Sequence, residues 1–338
     1  ALQIPTPTGL YIPEDYDQTY AGEVSVRTAL ASSLNIPAVR TLQLIGLDGF
    51  VERLRATGFS GIRKEADYYG YSLALGSVDV SLLDLVGAYR VLANHGVCSP
   101  LSFLPDQGHA TQTRVMDERA VFIISAVLSD RDARAHTFGL ENYLATRFWT
   151  AVKTGTSKDM RDNWCIGYSE RFTVGVWVGN FSGEPMWNVS GVSGAAPVWL
   201  EIMNHLHRDL SSAPPRPPKG LIRKAVRFAG SIEPARTEWF LEGTEPPGII
   251  RLNDRHAAPR ITYPPHGAVI SFDPGIPRAN QNMAFEADPA RGDYIWALNG
   301  REIGSRTPCL WRVQPGEYTL SLLDGDRQTL ATVQFAVR

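Results

Sequence analysis

The chain has 338 residues, of which 43% are hydrophobic, and is therefore long and apolar enough for one large globular domain and a smaller one. Its formal net charge of -2 and its lack of any lysine and arginine run argue against nucleic acid as a partner. Three widely separated cysteines show no metal-binding spacing, so we expect no metal, no cofactor and no disulfide framework.

The first part of the chain begins with helical patterns. "VRTALASSLN" predicts a helix that runs into a turn, and "IPAVRTLQLIG" predicts a second helix with Asn35 as its N-cap and Gly46 at its end. Ser33 and Asn35 therefore lie on a short connection between two helices. Apolar residues at helical spacing predict two further helices in residues 81–96 and 117–130.

Extended patterns follow. "TAVKTGT" and "WCIGYSERFTVGVWVG" are rich in β-branched and aromatic residues, and Ser169 to Arg171 form a plausible hairpin loop between two strands. Residues 194–210 return to a helical pattern. Helices on either side of an antiparallel sheet are typical of an α+β fold, which we predict for residues 1–210.

A proline-rich stretch, "SSAPPRPPKG" at residues 211–220, predicts an extended linker and a domain boundary. After it, short strand patterns alternate with turns rich in glycine, proline and aspartate, and no amphipathic helix is evident. We therefore predict a β-rich domain in residues 221–338, with a small all-β sandwich in about residues 259–338.

The tetrapeptide from Lys153 to Thr156 combines groups that suit a ligand site. Gly155 has no side chain and lets a substrate backbone approach the strand, while Lys153 supplies a cation. Thr154 and Thr156 offer hydroxyls to a carboxylate, and the Thr156 N–H is suited to an oxyanion. Taken alone, the same residues are also typical of an ordinary strand end with a glycine bulge.

The tripeptide "SLN" places a hydroxyl at Ser33 and an amide at Asn35 on one tight turn. We expect both side chains to meet Lys153 in a cleft at the edge of the sheet. The alternative is purely structural, with Asn35 capping its helix and Ser33 bonded to a neighbouring backbone group.

Three segments in order carry a resemblance to a known family. "ALASSLNIPAVRTLQ", "LALGSVDVSLLDLVGAYRVLANHG" and "KTGTSKDMRDNWCIGYSERFTVGVWVGN" resemble consecutive parts of the transpeptidase domain of class A penicillin-binding proteins, over about residues 20–210. "EWFLEGTEP" and the β-rich tail are similar to the penicillin-binding protein 1C group. The resemblance implies the penicillin-binding and β-lactamase-like fold.

The family's first motif, Ser-x-x-Lys, is absent, because no lysine in the chain has a serine three residues before it. In the family this motif supplies the acylated serine and its activating lysine. We therefore expect the chain to be the C-terminal portion of a longer protein and to be inactive alone. A diverged, non-catalytic homologue is the alternative.

The resemblance implies peptidoglycan D,D-transpeptidation, with stem peptides ending in D-Ala-D-Ala as substrates and β-lactams as their mimics. In this interpretation Ser33 and Asn35 relay protons and bind the substrate backbone, and Lys153 supports the relay. Thr154, Gly155 and Thr156 would bind the substrate, with the Thr156 N–H in the oxyanion hole.

The resemblance also implies a periplasmic location, with a glycosyltransferase domain and an inner-membrane anchor elsewhere in the full protein. The motifs leave the acceptor open, since a D,D-carboxypeptidase or a serine β-lactamase uses water in place of an amine. A non-catalytic binding module is a further alternative, with the β-rich tail recognising cell-wall synthesis proteins or a glycan.

Overall fold

The computed structural model describes residues 4–6, 9–13, 22–104, 111–229, 233–246, 249–250, 259–270, 281–288, 294–305 and 308–338. The chain divides into two compact units, Ala1–Ile249 and Ile250–Arg338. Within the described ranges, no helix is both long enough and apolar enough to cross a membrane.

The first unit contains every helix among the described residues. Polar side chains fix several helix starts: Ser25, Ser81, Asp117 and Asp130 each accept a bond from a backbone N–H of the first turn. The elements of its first part are β1 (Ile4–Thr6), β2 (Gly9–Tyr11), α1 (Val26–Ala31), α2 (Asn35–Ile45), α3 (Leu47–Ala56), α4 (Ala66–Tyr69), α5 (Leu82–Ala93), β3 (Val97–Cys98), β4 (Thr113–Arg114), α6 (Glu118–Leu128) and α7 (Arg131–Phe138).

One predicted cap is wrong. Asn35 is the first residue of α2 rather than its N-cap, and the cap position is taken by Leu34, whose side chain makes no capping bond. The turn between α1 and α2 gives the reason. The Leu34 N–H donates to the Ala29 carbonyl at 2.9 Å, so the turn ends at Leu34 and α2 begins at the next residue.

A three-stranded antiparallel sheet forms the centre of the first unit. Its order is β5, β6, β7, so β6 is the middle strand and the loop predicted at Ser169 closes its hairpin with β7. Ala151 and Tyr168 pack on one face against α6, whereas Val152 and Cys165 pack on the other face against the last helix. The elements are β5 (Ala151–Thr156), β6 (Asp162–Tyr168), β7 (Thr173–Gly179) and α8 (Ala196–Leu206), the last preceded by a π-helical turn (Gly191–Ala195).

This arrangement confirms the α+β prediction of an antiparallel sheet flanked by helices. After α8, strands β8 (Leu221–Phe228) and β9 (Arg236–Leu241) form an antiparallel pair, and β10 (Ile249–Ile250) is a short strand. The proline-rich stretch at 211–220 thus lies inside the first compact unit, and the division by contacts falls later, at Ile249.

The second unit is built from two sheets around one core. A five-stranded and a three-stranded sheet share a cluster in which the Phe285 ring lies 5.9 Å from Trp296 and 6.0 Å from Phe335. Two sheets that pack face to face in this way form the predicted sandwich. Its strands are β11 (Arg260–Tyr263), β12 (Ala268–Ile270), β13 (Asn282–Asp288), β14 (Ile295–Leu298), β15 (Arg301–Gly304), β16 (Cys309–Arg312), β17 (Gly316–Leu323) and β18 (Thr329–Val337).

One of the short strand patterns after the proline-rich stretch, "GAVISFD" at residues 267–273, is described only in its first half, as β12. Its remaining residues, 271–273, lie outside the described part of the chain.

Candidate active site

Lys153 lies on β5, a strand at one edge of the three-stranded sheet. Within the described residues β5 pairs with β6 on one side only, from Ala151 opposite Tyr168 to Thr156 opposite Asn163. Because side chains alternate along a strand, Lys153 and Gly155 lie on one face of the sheet. The outer edge of β5 therefore offers backbone groups next to a lysine side chain.

Ser33 lies on the turn between α1 and α2 with a φ of 60°, in the left-handed region that few serines adopt. Bonds to α7 support this turn. The Ser32 hydroxyl donates to the Ala133 carbonyl at 3.0 Å, and the Thr137 hydroxyl donates to the Ser32 carbonyl at 3.0 Å. The exposed Ser33 side chain is consequently carried by a backbone that α7 holds in place.

The structure brings Ser33 and Lys153 together across 120 residues of sequence. The Lys153 amine donates to the Ser33 hydroxyl oxygen at 2.5 Å and to the Thr154 carbonyl at 2.9 Å. The distance expected for a shared site is therefore met by this pair. What the two residues do chemically stays a prediction at this point.

Burial shapes the acidity of the amine. Desolvation lowers the pKa of Lys153 from 10.5 to about 8, and the positive charge of nearby Arg134 acts in the same direction. Cys165 lies close by, but burial raises the pKa of its thiol, so it is neutral and adds no negative charge at neutral pH. A substantial fraction of Lys153 is consequently unprotonated just above neutral pH.

Thr156 is held by the π-helical turn that precedes α8. The Gly191 N–H donates to the Thr156 hydroxyl oxygen at 3.0 Å. A Cβ on residue 191 would come within 2.6 Å of the Gly155 carbonyl oxygen, so only glycine fits against the strand. A hydroxyl that accepts one bond still donates its hydrogen, which a carboxylate-binding residue needs.

The remaining predicted site residues are neighbours of Lys153 on β5 and of Ser33 on the α1–α2 turn. A Cβ on Gly155 would only reach Trp164 at 3.8 Å, an ordinary contact, so the fold itself does not require glycine there. Thr154 is half-buried and, with Thr156, occupies the face of β5 opposite Lys153. Asn35 is half-buried at the start of α2. The roles of Asn35 and Thr154 stay predictions.

Sequence patterns did not reveal the residues that support the site. Thr137 lies on α7, a helix that was not predicted, and Gly191 lies on a turn with no recognised motif. The capping box formed by Ser190 and Ser193 is the one local signal that precedes this turn.

We expect Lys153→Met to raise the free energy of unfolding at neutral pH. A folded-state pKa of about 8 means that folding disfavours the protonated amine, a cost of at most about 3 kcal/mol below pH 8. Partial solvent exposure and the lost bonds to Ser33 and Thr154 reduce the expected gain to about 1–2 kcal/mol. The gain should shrink as pH rises from 8 to about 10.5, where the unfolded lysine also loses its proton.

Urea denaturation between pH 6.5 and 10.5 measures this effect. Lys158→Met, at an exposed lysine just after β5, is the matched control and should change stability little at any pH. A gain from Lys153→Met that is constant across the pH range would show that the amine does not carry a desolvation cost.

Two models of known protein families match the chain. The family model described as "Penicillin binding protein transpeptidase domain" matches residues 3–204. A second model, "Penicillin-Binding Protein C-terminus Family", matches residues 251–335. The first match covers more than half of the chain and includes Ser33, Lys153 and the π-helical turn.

Individual relatives agree with these matches. The chain is 29% identical to penicillin-binding protein 1C of Escherichia coli in an alignment 294 residues long, which covers 83% of this chain and 37% of that protein. It is 29% identical to penicillin-binding protein 1A of Aquifex aeolicus, over 70% of this chain and 34% of that protein. The chain thus spans about a third of the length of these relatives.

A solved structure shares the fold. Penicillin-binding protein 1A from Haemophilus influenzae superposes with a TM-score of 0.62 at 21% identity, over 74% of this chain and 44% of that one.

Proposed function

Because the chain belongs to the penicillin-binding protein transpeptidase family, we propose that it forms part of a serine D,D-transpeptidase that cross-links peptidoglycan stem peptides. The observation that carries this proposal is the bond between Lys153 and Ser33 beside the outer edge of β5, with which no strand in the described part of the chain pairs. Two groups suited to proton transfer meet there, next to backbone that an extended peptide is able to pair with.

In the proposed reaction a serine attacks the carbonyl between the two terminal D-alanines. The bond from serine oxygen to that carbonyl forms, the peptide bond breaks, and the serine proton passes to the departing D-alanine amine. An amine of a second stem then attacks the ester and releases the serine. The attacking serine would come from a Ser-x-x-Lys segment, which this sequence does not contain.

Ser33 is suited to carry the proton to the departing amine. Lys153 donates to the Ser33 oxygen, so the Ser33 hydrogen is directed away from the lysine and toward other acceptors. The lowered pKa of Lys153 lets the amine exchange its own proton near neutral pH. Asn35, on the same turn, would bind the substrate backbone.

The β5 residues would bind the end of the donor peptide. The Thr154 and Thr156 hydroxyls are proposed to donate to its terminal carboxylate, and the Thr156 N–H to the oxyanion. β-Lactams would occupy the same groups as substrate mimics. Since stem peptides lie outside the cytoplasmic membrane, we propose a periplasmic location, with cell-wall synthesis proteins as partners of the second unit.

Product analysis tests the proposal. A longer protein that carries the Ser-x-x-Lys segment is incubated with a synthetic stem pentapeptide and an amine acceptor, and the products are identified by mass. We expect D-alanine release together with a new amide to the acceptor, and Ser33→Ala should slow this reaction about 10²–10⁴-fold.

Ser60→Ala, at an exposed serine bonded to Asp84, is the matched control and should retain activity. Release of D-alanine without the new amide would instead indicate a carboxypeptidase, and turnover of a β-lactam would indicate a β-lactamase. No turnover of any of these substrates would favour the binding-module alternative.

A further inference from the structure

The β8–β9 hairpin occupies residues that neither family model matches. The two matched ranges end at residue 204 and begin again at residue 251, whereas β8 and β9 span Leu221–Phe228 and Arg236–Leu241. The hairpin nevertheless belongs to the first compact unit. Its contacts therefore bear on the transpeptidase fold.

Two carboxylates of the hairpin bind the N-terminal end of α1. Glu233 accepts from the Ser25 backbone N–H at 2.7 Å and from the Ser25 hydroxyl at 2.9 Å. Glu238 accepts from two nitrogens of Arg27, at 2.7 and 2.6 Å. Arg236 bridges the two carboxylates, at 2.7 Å to Glu233 and 2.5 Å to Glu238. The network is largely screened from water, since Arg27 is 8% exposed and Glu233 9%.

The same arginine also reaches the support of the Ser33 turn. Arg27 pairs with Asp130 at 2.9 Å, and Asp130 caps α7 by accepting from the Ala133 N–H at 3.0 Å. The Ala133 carbonyl in turn accepts from the Ser32 hydroxyl. The hairpin is thus connected to Ser33 both along α1, which ends at Ala31, and through α7.

We propose that the β8–β9 hairpin is a positioning clamp, in which Glu233 and Glu238 fix α1 so that the Ser33 hydroxyl lies against the Lys153 amine. Helix α1 has six residues and is about 9 Å long, so Ser33 lies close past the end of the helix that the two carboxylates hold at its start. The catalytic meaning of the clamp rests on the proposed function, whereas the positioning itself does not.

The protonation of Lys153 reports on this positioning. The chain has only five lysines, so selective ¹³C labelling of lysine gives few signals, and Lys153→Met identifies the one from residue 153. In the unaltered chain the Lys153 pKa is expected at about 8. With Glu238→Ala the turn should loosen and admit water to the amine, and the Lys153 pKa should move up toward the ordinary value of about 10.4.

Arg223→Ala is the matched control. Arg223 lies over the Trp239 ring at 5.2 Å, so this change perturbs the same two strands without touching Arg27 or Ser25. We expect it to leave the Lys153 titration unchanged. If Glu238→Ala does not fold, as judged by near-ultraviolet circular dichroism, the milder Glu238→Gln takes its place and the same upward shift is expected.

An unchanged Lys153 titration in the folded Glu238 variant would overturn the proposal. An equal shift in Arg223→Ala would also overturn it, because any loosening of the hairpin would then suffice. This experiment is independent of catalysis: a Glu238-specific shift in a protein whose longer form has no transpeptidase activity would retain the clamp and reject the proposed function.

Discussion

Incubating this chain with a fluorescent penicillin is expected to leave its intact mass unchanged. Acylation needs a serine beside its own base, and the Ser-x-x-Lys segment that would provide both is absent from the sequence. Ser33 is bonded to Lys153 at 2.5 Å, but the proposed role of this pair is to assist a different serine, whose own lysine takes its proton. The chain consequently holds positioning groups without an activated nucleophile.

The matched experiment uses a longer protein that includes a Ser-x-x-Lys segment. That protein should form a stable adduct on the motif serine, and the labelling rates of the two proteins should differ by roughly 10⁶-fold, the cost of removing a nucleophile from a serine hydrolase. Peptide mapping then locates the penicillin. A stable adduct on Ser33 of the chain alone would contradict both the inertness expected here and the relay role of Ser33.

Trp199→Ala should destabilise the first unit by about 3–5 kcal/mol, the usual cost of truncating a buried aromatic side chain. Trp199 is 0% exposed and is, with Trp296, one of the two fully buried tryptophans in the described residues. It lies so close to β6 that a Cβ on Gly167 would come 2.5 Å from its ring.

Ellipticity at 222 nm on heating measures this effect, because all described helices lie in the first unit. We expect the midpoint of that transition to fall by roughly 10 °C. Val198→Ala, at the neighbouring residue that is 46% exposed, is the control and should change the midpoint little. Equal midpoints for the two variants would show that α8 does not support the sheet through Trp199.

The strand that carries Lys153 was predictable because its signal is local. Alternating apolar and β-branched residues define β5 and its neighbours, and two helical patterns with a short connection define the turn at Ser33. The ordered motifs then linked the two segments before any distance was known. Residue patterns located both segments, and the resemblance to the family assigned them to one candidate site.

The groups that hold the site in place were not predictable in the same way. The Ser32 bond to Ala133 joins residues 101 positions apart, and the Arg27 bond to Glu238 joins residues 211 positions apart. Such pairs produce no periodic pattern in the sequence, because a single polar residue looks the same whether its side chain faces solvent or bonds to a distant residue. The helix cap was misassigned for a related reason: Asn35 has the right chemistry, and the turn geometry places Leu34 at the cap instead.

The β8–β9 hairpin lies between the two family matches, yet it contacts α1 of the transpeptidase segment. The family model of the transpeptidase domain ends at residue 204, but the carboxylates that bind Ser25 and Arg27 come from Glu233 and Glu238. A tail exchanged between relatives would bring unmatched side chains to α1 and remove Glu238 from the buried Arg27, which would keep only Asp130 as a carboxylate partner. The transpeptidase segment and the hairpin are therefore expected to evolve together. A recombination point between residues 204 and 221 would divide a single folded unit.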